Sequence, residues 1–154
     1  MVIVVTLVEI IDGDRLLLKK ASRGISKNKW NGLGGKVEAG ETPLECAVRE
    51  AFEESGLLIK NPFYHGVINF HDFGSDSITW EGHVFSARQY SGQLKETEEG
   101  ELRWFDIEKL PCENMWKGDM LWLPLLSNNK KFYADIYFDK DNRGVLKHNI
   151  EVKD

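Results

Sequence analysis

The chain has 154 residues, 42% apolar and 29% charged, the balance of an ordinary soluble globular protein and enough for one domain with its own core. No apolar run reaches the ~18 residues that a membrane-spanning helix requires, which excludes a membrane partner of that kind. The net charge of −5, with no basic stripe, argues against a nucleic-acid polymer as partner, and an anionic substrate fits only if metal ions mediate, because a bound cation inverts the local charge.

Residues 2–11 are β-branched and apolar and predict a buried strand. The run begins without a basic leader, has no small-residue cleavage site and meets Glu9 and Asp12, so it reads as a strand and not a signal peptide. Asp12-Gly13-Asp14 is a turn, and residues 15–20 return as a second strand. Residues 21–35, rich in Gly, Asn, Ser and Lys, read as a functional loop.

A helix over Pro43–Ser55 is signposted at both ends. Thr42 is the N-cap, Pro43 occupies the first turn, Glu45 completes a Thr-x-x-Glu capping box, and Gly56 is the stop. Leu44, Ala47, Val48, Ala51 and Phe52 form its apolar stripe. Strands are expected at 63–70 and 78–88, a polar connection at 89–100 and a short strand at 101–105. A helix over 113–126 and a hairpin of 131–139 with 145–152, turning at Asp141-Asn142-Arg143-Gly144, complete the chain. Strands outnumber helices and are mixed with them, so the fold class is α/β in the α+β sense, with a mixed sheet, in one domain over 1–154. Cys46 and Cys112 are too few for a disulfide framework or a cysteine metal site and suit a reducing cytoplasm.

Glu50, Glu53 and Glu54, at i, i+3 and i+4, lie on one side of the first helix, on a flank away from the Leu44, Val48 and Ala51 stripe. Like charges at this spacing repel, and a hard cation such as Mg²⁺ or Mn²⁺, which takes several oxygen ligands, offsets the cost. Arg49 reaches Glu45 and Glu53 at i±4 and would orient one carboxylate. Clustered glutamates on a surface helix are more often a solvated face, so the upstream context decides.

That context is Gly35-Lys36-Val37-Glu38-Ala39-Gly40-Glu41, then Arg49-Glu50-Ala51-Phe52-Glu53-Glu54-Ser55-Gly56-Leu57. It closely resembles the signature box of the Nudix hydrolases, with every fixed position filled. The resemblance implies an α/β/α sandwich and a loop–helix–loop that binds Mg²⁺ or Mn²⁺ and cleaves compounds built on a nucleoside diphosphate. It implies Glu50, Glu53 and Glu54 as metal ligands, with the Gly34 carbonyl as a further one. Glu53 and Glu54 would carry the catalysis, and Glu41 and Arg49 would hold the loop and orient the carboxylates. A carboxylate outside the helix often serves as general base in this family; Glu99 is the candidate, also as a metal ligand, with Glu96 and Glu98 as near neighbours.

Lys29-Trp30-Asn31-Gly32-Leu33-Gly34-Gly35-Lys36 and the stretch from Asn114-Met115-Trp116 to Trp122-Leu123-Pro124-Leu125-Leu126 resemble the oxidised-purine nucleoside triphosphatases of the family, which cleave 8-oxo-dGTP to the monophosphate and pyrophosphate. By that resemblance Asn31 binds the purine edge, Trp116 stacks on the base, Asp119 reads it, Thr6, Phe70 and Trp80 line the pocket, and Lys20 and Arg23 contact the triphosphate. Two positions depart from the pattern. Gly118 replaces the first of two base-reading aspartates, and Ile25 stands where that group has an aromatic residue. Trp122 is expected in the core, the four histidines form no metal-spaced pair, and Cys46 is expected on the helix flank as an inert small residue.

The expected activity is therefore Mg²⁺-dependent cleavage of purine nucleoside triphosphates by a cytoplasmic monomer. Cleavage of another pyrophosphate (an ordinary dNTP, a nucleotide sugar or a dinucleotide polyphosphate) is the alternative that Gly118 keeps open. A catalytically silent binding module is disfavoured by the complete glutamate set.

Overall fold

The structure is a computed structural model and describes residues 1–24, 26–74, 77–95, 100–140 and 144–153. Strand β1 (Ile3–Asp12) turns at Gly13 into β2 (Arg15–Ala21), and a short β3 (Trp30–Asn31) follows within the expected loop. Helix α1 (Pro43–Ser55) leads directly into β4 (Leu57–Lys60), β5 (Phe63–His71), β6 (Trp80–Ala87), β7 (Gln89–Gly92) and β8 (Gly100–Asp106). Helix α2 (Asp119–Leu126) precedes the hairpin of β9 (Lys131–Phe138) and β10 (Val145–Lys153). The hairpin's own turn lies mostly outside the described residues.

Eight of these strands share one mixed sheet in the order β10-β9-β5-β6-β1-β2-β3, with β8 also on β2. The β1–β6 and β5–β9 pairs are parallel and the others antiparallel. Side-chain alternation along β1 and β2 divides the apolar residues between two cores. Val8, Ile10 and Leu17 join the core under α1, with Ala47 and Ala51. Ile11, Leu16 and Leu18 join the core under α2, with Trp122, Leu123 and Leu126. The result is the three-layer arrangement with a mixed sheet that the sequence implied.

Three expectations change. The connection at 89–100 contains β7, which pairs with β4 in a small second sheet, because the short alternating Leu57 and Ile59 face needs a cover. The helix expected over 113–126 is broken: a 3₁₀ turn at Cys112–Asn114 ends at an extended Met115, and α2 starts only after Gly118. Trp116 is thereby released from helical packing. The third change is the rotation of α1. Its buried residues are Cys46, Ala47, Ala51, Glu54 and Ser55, whereas Leu44 and Phe52 are exposed, so Cys46 is fully buried and not on a flank.

Candidate functional site

The site exists because β1 and β2 pair only next to their turn, at Ile11–Leu16 and Asp12–Arg15. Beyond that point β1 bonds instead to the loop after β3: Val8 and Leu33 exchange N–H···O bonds of 2.7 and 3.0 Å, and the Thr6 N–H donates to the Gly35 carbonyl at 2.8 Å. Between these anchors Gly34 takes φ 137°, and a Cβ there would lie 2.0 Å from the Thr6 carbonyl oxygen, so only glycine allows the approach. A cleft of about 430 Å³ opens above this seam.

At one end of the cleft is α1, positioned by its caps. The Glu45 N–H donates to Thr42 Oγ1 at 3.1 Å and the Thr42 N–H to Glu45 Oε1 at 3.0 Å, while Gly56 in the left-handed region donates back to the Phe52 carbonyl at 2.8 Å. Glu54, expected on a flank away from the apolar stripe, is 4% exposed. Its burial is compensated by the Gly34 N–H, which donates to Oε1 at 2.7 Å, and by the Lys19 ammonium on Oε2. Burial nevertheless dominates and pushes the Glu54 carboxyl up to about 6.

Glu50 packs against Gly35, where a Cβ would come within 2.5 Å of its carboxyl carbon. Arg49 donates to Glu50 at 2.8 Å and to the exposed Glu53 at 3.2 Å. It does not use Glu45, which the capping box occupies; its main partner is Glu41. The Arg49 guanidinium and the Glu38 N–H hold the Glu41 carboxyl down at about 2. Among the described residues no three acidic, histidine or cysteine side chains already converge as ligands; Arg49 and Lys19 hold the carboxylates. The donors are all oxygens, Gly35 leaves a space against the Glu50 carboxyl that any side chain there would fill, and the Gly34 backbone is held to Glu54 beside it, so the residues fit a hard divalent ion.

At the other end are the aromatic residues. Phe70 and Trp80 are cross-strand partners of β5 and β6, and Phe70 stacks on Phe138 at 5.9 Å and 3°. The indole of Trp116 donates to Ser26 Oγ at 2.9 Å and carries the Lys29 ammonium 5.3 Å from its ring centre. Thr6, Asn31, Gly34, Glu54, Phe70, Trp80, Trp116 and Asp119, each singled out from sequence, all line the one cleft. Burial raises the Asp119 carboxyl to about 7, opposed by Lys29.

Other sequence-chosen residues lie elsewhere. Lys20 sits over the Trp30 ring at 6.0 Å and Arg23 is exposed; neither lines the cleft, and the amine that does is Lys19. Strand parity explains the difference, since Lys19 shares the face of Leu17, towards α1, and Lys20 that of Leu18. Glu99 and Ile25, with Glu96 and Glu98, lie outside the described residues. Trp122 is buried as expected yet also borders the cleft. Glu9, which the sequence reading passed over, is buried at its wall; an acid inside an apolar strand was the available signal.

The profile of the NUDIX domain matches residues 2–126. The chain belongs to the Nudix family. It is 40% identical over 151 residues to the oxidized purine nucleoside triphosphate hydrolase of Danio rerio, covering 97% of this chain and 95% of that one. The protein of the same name from Mus musculus is 37% identical over 149 residues, covering 97% and 94%. Among solved structures, a mutator MutT protein from Bacillus halodurans superimposes with TM-score 0.84 at 29% identity over 97% of each chain. Membership of the Nudix family implies a divalent metal cofactor. Among the described residues no helix is long and apolar enough to cross a membrane.

Proposed function

We propose that this Nudix chain hydrolyses purine nucleoside triphosphates, oxidised forms such as 8-oxo-dGTP foremost, to the monophosphate and pyrophosphate, and so cleans the nucleotide pool. The observation that carries the reading is a single cleft with two chemically different ends. One is aromatic, with an amide and a carboxyl; the other is built from Glu54, Lys19 and the Gly34 and Gly35 turn, with the Glu50 carboxyl packed against Gly35 beside it. The printed activity of the two animal relatives supports it.

At the first end Trp116 stacks on the base, Asn31 and Asp119 bond its edge, and Thr6, Phe70 and Trp80 wall the pocket. At the second, Glu50, Glu53, Glu54 and the Gly34 carbonyl would hold Mg²⁺, with Mn²⁺ as a substitute. The ion, when bound, polarises the phosphate and helps to ionise water. Arg49 ties the loop at Glu41 to α1 and holds Glu50 and Glu53 on that helix by direct hydrogen bonds. Lys19, held by Glu54, lines the cleft where Lys20 and Arg23 do not, and takes the phosphate-contact role. Glu99 is assigned as general base on sequence position alone. The enzyme is read as one domain over 1–154, monomeric and cytoplasmic, with unpaired Cys46 and Cys112 in keeping with a reducing compartment.

The test is kcat/KM for 8-oxo-dGTP, 2-oxo-dATP and dGTP, with and without EDTA. The reading expects chelation to abolish turnover and at least one oxidised substrate to lead dGTP by roughly tenfold or more. A ratio near one for all three favours the second reading, a broader pyrophosphatase, to which Gly118 points because it brings no polar side chain to the wall beside Asp119.

A further inference from the structure

Strand β1 presents Leu7, Glu9 and Ile11 to the α2 side of the sheet, and Leu7 and Ile11 belong with that core. Glu9, between them, is 3% exposed. A buried carboxyl is costly unless hydrogen-bonded, and Glu9 Oε2 is fully enclosed without a hydrogen-bond partner among the described residues. The space it occupies is reserved for it. A Cβ on Gly32 would lie 2.1 Å from Glu9 Oε1 and 2.5 Å from its carboxyl carbon, so residue 32 can carry no side chain while the carboxyl stays there. Trp122, on the same cleft, likewise buries an indole N–H with no acceptor. An acceptor and a donor thus stand unused on the wall that Asp119, Asn31 and Trp116 also line.

We propose that Glu9 is a specificity-determining residue, whose carboxyl accepts hydrogen bonds from the N–H groups on the edge of the base held in the cleft. The inference rests on the nucleotide reading of that cleft. A carboxylate accepts two adjacent N–H donors at once. The N1–H and 2-amino group of a guanine-type base offer such a pair, whereas adenine presents a ring-nitrogen acceptor there. Glu9 therefore favours guanine-type over adenine-type bases and supplies, from β1, an acidic contact that Gly118 cannot. Burial and the neighbouring Asp119 raise the Glu9 carboxyl well above the ordinary range, in keeping with a group that lacks its partner until a ligand arrives.

The experiment is titration of the whole chain in Mg²⁺ with dGMP, 8-oxo-dGMP and dAMP, followed by tryptophan fluorescence, for wild type, Glu9→Gln and Glu9→Leu. Monophosphates carry no anhydride bond to cleave, so their binding is independent of catalysis. Wild type is expected to prefer the two guanine-type ligands, and both variants to lose roughly 10- to 100-fold for them and little for dAMP. The leucine variant completes the Leu7 and Ile11 stripe, so its melting temperature should be no lower than wild type; the glutamine variant tests the same contact at unchanged size. Unaltered discrimination in both variants overturns the Glu9 assignment and leaves the nucleotide reading intact. Absence of purine binding by wild type overturns both.

Discussion

Arg49 grips the Glu41 carboxylate with two near-parallel hydrogen bonds, Nε to Oε2 at 2.7 Å and Nη2 to Oε1 at 2.9 Å. The fork ties the end of the signature loop to the middle of α1, and the same guanidinium then reaches Glu50 and Glu53. Lysine cannot reproduce a planar two-point contact. Arg49→Lys should therefore lower metal affinity or kcat by roughly 10- to 100-fold with little change in melting temperature. Metal titration of activity checks it; an activity within twofold of wild type contradicts the positioning role.

Gly34 and Gly35 should respond differently to alanine. At Gly34 the added Cβ meets backbone, Thr6 O at 2.0 Å, and φ is 137°. Gly34→Ala should destabilise by about 1–3 kcal/mol from strain alone. At Gly35 the atoms nearest the Cβ are those of the Glu50 carboxyl group, the end of a side chain that can shift at the cost of its Arg49 contact. Gly35→Ala should keep the fold and lose activity. Thermal melts beside pyrophosphate-release assays separate the two, and equal stability losses would contradict the contrast.

Trp116 lies in the break between a 3₁₀ turn and α2, not in the core. Stacking on a base is worth ~1–3 kcal/mol, so Trp116→Ala should raise KM roughly 5- to 150-fold. Trp116→Phe should recover much of that loss. A KM unchanged in the alanine variant would remove the ring from the site.

Asp119 gives a stability prediction with a definite sign. Its carboxyl, ordinarily near 3.8, is raised to about 7 by burial, against the pull of Lys29 and with Glu9 as its acidic neighbour. Between these values the folded chain holds more protons than the unfolded one, so stability falls as pH rises from about 4 to about 7 and is flat above. Asp119→Asn should reduce that slope, leaving the part that the raised Glu9 and Glu54 carboxyls contribute, and stabilise the protein at pH 8, by a few kcal/mol at most. Denaturant melts at pH 5 and pH 8 measure it; an Asp119→Asn slope equal to wild type would contradict the burial.

Local signals were legible in the sequence where the chemistry is local. The capping box at Thr42 and Glu45 and the stop at Gly56 give both ends of α1, and the β-branched apolar run gives β1. Contacts between distant segments were not legible. The partner of Glu54 depends on how β2 faces α1, which selects Lys19 over Lys20. The burial of Glu54 depends on the rotation of α1, and helical periodicity from Leu44 and Phe52 pointed the other way. The small β4–β7 sheet was hidden because four-residue strands carry too little pattern to stand out from a polar connection.

The central claim is that the α1 glutamates drive pyrophosphate release from a purine triphosphate. The most direct measurement is Mg²⁺-dependent pyrophosphate release from 8-oxo-dGTP by Glu54→Gln and Glu53→Gln, with melting temperature followed in parallel. A loss of about 100-fold or more in kcat is expected in each variant while both remain folded. Wild-type turnover by either folded variant would contradict it.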